Sequence, residues 1–456
     1  MKTKKLLGRR KSELAFVVVG LIVLVAVGGG GYTISADQGP SRIHLTWSTN
    51  DVYHTITVNW WTPSSGGDLV SYDKTSYDGR VSGYVSRMEG VHNTIRGFNG
   101  WYHHVELTGL EPDTTYFFVC GGPVTWSEEH SFRTIAPSEQ VSFVLGGDSR
   151  RLWGEEEVKG SPTAISNWPH ARNWVSATMA EESPDFVIFI GDLVESGDSQ
   201  EQWHNWLDMV QEHWVTPDGR MIPLVPVIGN HEMGSYPRTN NTYDYFTGLF
   251  ALPGNELWYS LDFPDFHLTV LCASGGGVKN LAEDLRREAT QQKEWLKEDL
   301  SSTKAKWKIA TFHIPPYSSF GVSEGRHGGP TREHWVPIFE QYGVDVVACG
   351  HVHNYERTWP MKGFDAPRLQ RSSEDGVTYV VQGGWGAPTD PFVKDSSCRI
   401  QYWDAACAAR PCYTLVELKG EGLHLLTKDT NGDVLDDVTL PYKTVNFPTP
   451  EYNFRI

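Results

Sequence analysis

Five short polar groups recur along this chain: Gly147-Asp148, Gly191-Asp192, Gly229-Asn230-His231-Glu232, His313 and Gly350-His351-Val352-His353. Carboxylate, amide and imidazole side chains are the ligands that first-row divalent or trivalent metal ions take. A carboxylate can also bridge two ions, and two ions about 3.5–4 Å apart form a clamp for in-line attack on phosphorus. Each group alone has an ordinary explanation, because Gly-Asp and Gly-Asn pairs are common turn formers. Their repetition in order points instead to a dinuclear metal site.

The elements that must position these groups are short apolar runs at residues 141–145, 186–190, 224–228, 307–312 and 344–349, each ending just before one of them. Such runs, separated by longer helical or irregular stretches, predict buried strands of an α/β domain. Ligands placed just past the C-terminal ends of neighbouring strands converge on one edge of the sheet, where open α/β folds bind their ligands.

In this order the five groups resemble the blocks of the calcineurin-like metallophosphoesterases, and most of all their purple acid phosphatase branch. The likeness extends over Asn354-Tyr355-Glu356-Arg357, over the run from Val380 to Gly386, and over a β-rich region before the first group. The resemblance implies a four-layer αββα sandwich holding two ions of Zn, Mn or Fe. Asp192 would bridge them, Asp148 and His353 would hold the first, and Asn230, His313 and His351 the second. It implies hydrolysis of phosphate monoesters by a metal-activated hydroxide. A phosphodiesterase or nucleotide hydrolase on the same site, and a surface binding module with an inactive phosphoesterase-like domain, are the alternatives. His231 resembles the family's phosphate-contacting histidine, a general acid or transition-state donor. His327, within 325–329, is expected either in a second such role or as a solvent-exposed loop residue.

Two positions depart from the family pattern. Glu195 stands where purple acid phosphatases carry the tyrosine that gives them their colour, and Arg150 stands where other members carry a ligating histidine. Arginine has no lone pair to offer a metal. The first ion is therefore expected to take Glu195 or more water, in a colourless enzyme. Arg150 reads either as a bidentate grip on substrate phosphate or as the salt-bridge partner of Glu195.

Residues 42–135 show short alternating strands between Gly, Ser, Asp and Pro clusters, which predicts a small β-sandwich resembling a fibronectin type III module. The run from Leu110 to Tyr116 has the form of a tyrosine corner. A linker at 136–139 leads to a catalytic domain expected over 140–440. There, 291–300 and 333–339 read as amphipathic helices, Trp203 and Trp206 as helix-core residues, and 413–418 with 423–427 as a closing hairpin.

Six basic residues between Lys2 and Lys11 precede a stretch free of charge from Leu14 to Ala36. At the roughly 20 residues a spanning helix needs, residues 1–36 are expected to be an uncleaved membrane anchor in preference to a signal peptide, with the folded part outside the cytoplasm. Cys398, Cys407 and Cys412 lie close enough in sequence for one disulfide, whereas Cys120, Cys272 and Cys349 read as buried thiols. A net charge of -17 argues against a general nucleic-acid or anionic-membrane surface, and the resemblance implies a small phosphorylated substrate as the partner.

Overall fold

The computed structural model describes residues 39–137, 140–150, 171–233, 243–273, 283–319, 329–363, 370–372, 375–388, 401–419 and 422–443. The apolar stretch before Asp37, Cys398 and His327 lie outside these residues. Among the described residues no helix is long and apolar enough to cross a membrane.

The N-terminal region is a sandwich of two four-stranded sheets. One runs in the order Ser41–Thr46, Ile56–Thr62, Trp101–Leu107, Val91–Asn93, and the other in the order Ser86–Glu89, Leu69–Asp73, Thr115–Gly121, His130–Arg133. Val58, Trp60, Val105, Phe118 and Phe132 fill it and are buried. The tyrosine corner forms, with the Glu111 backbone N–H donating to the Tyr116 hydroxyl at 2.9 Å.

Two larger sheets make up the rest. The first orders its strands Leu224–Val227, Phe186–Ile190, Ser142–Gly146, Cys412–Lys419, Gly422–Asp429, Val434–Pro441, and its first three strands run parallel. The expected closing hairpin is thus part of a three-stranded antiparallel meander that joins the sheet by pairing Thr414 with Leu145. The second sheet runs Tyr259–Asp262, Phe266–Val270, Trp307–Thr311, Val346–Cys349, Thr378–Gln382, Tyr355–Thr358, Asp404–Ala408, with its central strands parallel.

Alternation along the strands decides what lies on either side of them. Val346 and Ala348 join the core between the two sheets, while Val347 and Cys349 join Leu296, Leu300, Ile338 and Phe339 under the helices Glu283–Ser302 and Val336–Tyr342. On the outer face of the first sheet lie Ala171–Ala180 and Gln200–His213. The latter helix starts at Ser199, whose hydroxyl accepts from the Gln202 N–H. Trp203, Trp206, Leu207 and Val210 form its buried stripe, so both tryptophans are core residues. The architecture is αββα.

At the N-terminal ends of the parallel strands, Phe143, Phe186, Phe263 and Phe266 stack between the sheets with ring centroids 4.5 to 5.2 Å apart. Trp47 of the sandwich sets its edge against Phe186 and Phe263. Of the three clustered cysteines, Cys407 is in a disulfide whose partner lies outside the described residues. Cys412 is a free, buried thiol pushed up to about 12 by burial.

An ion-pair cluster around the buried His267 of the second sheet gives the fold a pH dependence. His267 lies 2.7 Å from Asp262 and 2.9 Å from Asp299. Burial favours the neutral ring, but the two carboxylates outweigh it and raise the imidazole from 6.5 to about 9. A raised histidine stabilises the folded state fully below its unfolded value and loses that contribution as pH climbs through the folded one. Stability is therefore expected to decline between pH 6.5 and about 9. Urea unfolding of His267→Gln at both ends of this window should show the decline flattened; an unchanged slope would assign it elsewhere.

Candidate metal centre

Asp148, Asp192 and Asn230 follow parallel strands of the first sheet, whereas His313, His351 and His353 follow strands of the second. The C-terminal edges of the two sheets meet, so oxygen donors from one face imidazoles from the other. His313 Nε2 lies 3.1 Å from Asp192 Oδ1 and 3.2 Å from Asn230 Oδ1. His353 Nε2 lies 3.5 Å from Asp148 Oδ1, and the His351 ring meets that of His313 edge-on at 5.1 Å. Candidate ligand atoms of Asp192, His313 and His351 lie within 4.8 Å of one another, as do those of Asp148, Asp192 and His353. Asp192 belongs to both groups.

Local backbone conformation aims these side chains. Asp148, Asp192 and His351 have φ of 60°, 53° and 71°, a region that residues other than glycine rarely adopt and that recurs where function imposes strain. Close approach accounts for two of the glycines. A Cβ on Gly350 would sit 2.5 Å from the Ile190 carbonyl, and one on Gly191 would sit 2.6 Å from His313 Nδ1.

Backbone carbonyls fix the tautomers. The Ile190 carbonyl accepts from His313 Nδ1 at 2.7 Å, and the Pro388 carbonyl accepts from His353 Nδ1 at 2.6 Å. With Nδ1 committed to a carbonyl, each ring turns its Nε2 inward. His231 Nδ1 is anchored in the same way on the Glu195 carbonyl, and its Nε2 lies 3.9 Å from Asp192 Oδ2.

The residues fit a bound cation. Asp148 Oδ1 and Asp192 Oδ2 are buried acceptors with no hydrogen bond, which is costly unless a positive charge faces them. Burial, opposed by His313 but reinforced by the Asp192 charge, pushes Asp148 well above the usual carboxylate range. Burial pushes Asp192 the same way, yet His313 and other nearby cations hold it well below that range. The same pairing overcomes burial at His313 and raises it to about 9, while burial and the Arg150 charge depress His353 to about 4, leaving it a neutral ligand-type imidazole.

Glu232 has no role assigned from sequence, and Arg150 has two alternatives. Glu232, quoted within its motif but given no role, is wholly buried behind the site and accepts backbone N–H groups of Asp192, Leu193, Val194 and Gly229 at 2.7 to 3.3 Å. Its only sequence signal is its position two residues after Asn230. Arg150 takes the ion-pair alternative, donating to Glu195 at 2.8 Å, and it also lies among the donors of the first group, 3.3 Å from Asp192 Oδ2 and 3.2 Å from His353 Nε2. Glu195 thus points at a guanidinium. His327 lies outside the described residues.

Comparison with known proteins agrees with this geometry. Residues 164–355 match the calcineurin-like phosphoesterase family, and residues 40–134 match the purple acid phosphatase N-terminal domain. Purple acid phosphatase 15 of Arabidopsis thaliana is 26% identical over 396 residues, spanning 78% of this chain and 67% of its own. Probable purple acid phosphatase 20 of the same plant is 25% identical over 400 residues, spanning 81% of this chain and 83% of its own. The solved structure of purple acid phosphatase PPD1 from yellow lupin (Lupinus luteus) seeds shares the fold, with a TM-score of 0.69 at 20% identity over 89% of this chain and 74% of that one. Residues 164–355 are therefore a calcineurin-like phosphoesterase domain and residues 40–134 a purple acid phosphatase N-terminal domain, and the chain that joins them is a phosphoric ester hydrolase.

Proposed function

We propose that this chain hydrolyses phosphate monoesters of small molecules at the centre built on Asp192. The observation that carries the reading is the sharing of Asp192 between two donor groups, which supports two cationic positions side by side at the junction of the sheets. Asn230, His313 and His351 with Asp192 would hold an ion at one position, and Asp148 and His353 with Asp192 frame the other. Ions in such sites supply Lewis-acid charge and lower the pKa of water toward about 7.

The remaining steps fall to side chains. His231 stands at the rim, partly exposed, with its Nε2 directed toward the Asp192 side of the site. From there it can donate to a phosphoryl oxygen or protonate the departing alkoxide. The Glu195 carbonyl holds the ring by Nδ1, so only Nε2 serves substrate. His231→Ala is expected to lower kcat roughly 10²–10⁴-fold, the range of a positioned acid, with metal content unchanged. A fall in metal content instead would make His231 part of the ion's support.

The reading is tested with an aryl phosphate monoester and the matching diester, on the chain from Asp37, reconstituted separately with Zn, Mn and Fe. Faster turnover of the monoester supports it, and a preference for the diester would make the chain a phosphodiesterase on the same site. The disulfide at Cys407 supports a place of action outside the cytoplasm.

A further inference from the structure

We propose that Arg150 is itself one of the two cations of this centre. Its guanidinium fills the position framed by Asp148, Asp192 and His353, and the chain holds a single divalent ion, at Asp192, Asn230, His313 and His351. This rests on the phosphoesterase reading of the Asp192 site and revises the number of ions in it.

Two of the three donors of that position, His353 and Asp192, face the guanidinium directly. His353 Nε2 carries the inward lone pair, because Nδ1 is committed to the Pro388 carbonyl, and Arg150 Nη2 meets that lone pair at 3.2 Å. Arg150 Nε lies 3.3 Å from Asp192 Oδ2. A divalent ion bound by these same atoms would sit about 2.0–2.2 Å from each, in nearly the space the guanidinium nitrogens take. Arginine cannot give up its charge to make room. A second ion would therefore have to expel a buried cation from its carboxylates.

Glu195 opposes that expulsion. It grips Nη1 at 2.8 Å while Nη2 meets His353, and its carboxylate, like the guanidinium, is mostly buried. Without Asp192, Asp148 and His353 alone would offer an ion only two protein donors, which make a poor site. Charge favours the same count. Asp148, Asp192 and Glu195 supply three negative charges when ionised, and one divalent ion with one guanidinium balances them. Two divalent ions plus Arg150 would leave a net charge of about +2 in a buried site, which is expensive to maintain.

The proposal gives Arg150 a chemical task. A guanidinium fixed beside the ion presents hydrogen-bond donors in a planar fork suited to phosphoryl oxygens. It cannot lower the pKa of a water as an ion does, so the nucleophile must come from the position at Asn230, His313 and His351.

The test is metal stoichiometry, read without reference to turnover. The full chain is saturated with Mn²⁺, freed of excess, and assayed by elemental mass spectrometry and electron paramagnetic resonance. About one ion per chain and an isolated Mn²⁺ signal are expected for the native sequence and for Arg150→Lys. About two ions and a spin-coupled signal are expected for Arg150→Ala and Arg150→His, the second being lost again when His353→Ala is added. Two ions in the native chain would overturn the proposal while leaving the phosphoesterase reading intact. One ion that survives His313→Ala would overturn both. Should Arg150→Ala fail to fold, the native and Arg150→Lys stoichiometries still decide.

Discussion

Asp192→Ala is expected to remove turnover of phosphate esters by more than the roughly 10²–10³-fold that a single transition-state donor contributes. The reason is geometric. One oxygen of Asp192 lies 3.1 Å from His313 Nε2 and accepts the His231 backbone N–H at 3.1 Å, while the other faces Arg150 Nε at 3.3 Å. Losing the carboxylate dissolves both donor groups at once, because each contains Asp192. It also leaves Arg150 and His313 as neighbouring buried cations with too little countercharge, and removal of one partner from a buried pair is penalised heavily. The measurement is kcat/KM on an aryl phosphate at saturating metal, with far-ultraviolet circular dichroism to show that the variant is folded. Activity within tenfold of the native chain would remove Asp192 from the centre. Asp192→Asn, which keeps the shape and one acceptor, is expected to retain more structure than Asp192→Ala but not the charge an ion requires.

The largest effect on stability is expected at Glu232. Both of its carboxylate oxygens accept: Oε2 from the Asp192 and Gly229 N–H groups at 2.8 and 2.7 Å, and Oε1 from those of Leu193 and Val194 at 2.8 and 3.3 Å. Burial and the Asp192 charge push its carboxyl up to about 7, yet the four donors keep both oxygens in use. Glu232→Ala leaves those N–H groups buried and unpaired. At about 1–3 kcal/mol for an unsatisfied group, offset by relaxation and entering water, a loss of roughly 3–5 kcal/mol is expected. Glu232→Gln should rescue little, because its amide would turn N–H toward N–H on one side. Urea unfolding of both variants checks this, and a cost under about 1 kcal/mol for both would contradict the role assigned to the four bonds.

How far the sequence discloses this arrangement follows from the range over which each signal acts. The site-bearing strands are apolar runs of five or so residues ending in a polar group, and the run 186–190 alone foretells a fully buried strand, which Phe186–Ile190 is. The tyrosine corner and the amphipathic helices are also written within ten residues or so. What is not written is which sheet each strand joins. Nothing in Asp148 or His353 says that one ends a strand of the first sheet and the other follows a strand of the second, since that division depends on pairing across hundreds of residues. Glu232 is illegible for a related reason, because its partners are backbone groups and leave no trace in side-chain type. The left-handed turns at Asp148, Asp192 and His351 are equally silent, as each follows a glycine that looks sufficient to make the turn alone. Arg150 was legible as an oddity and as a partner for Glu195, but its contact with His353 joins residues 203 apart.

The stacked phenylalanines at the far end of the two sheets bear on the centre without touching it. Covers of a book open at the fore-edge by an amount that its binding permits, and here the binding is Phe143, Phe186, Phe263 and Phe266, with Trp47 pressed along it. A close-packed aromatic stack resists compression. The spacing of the two sheets at the margin opposite the carboxylates and imidazoles is therefore held by aromatic rings, and the N-terminal sandwich takes part in holding it through Trp47.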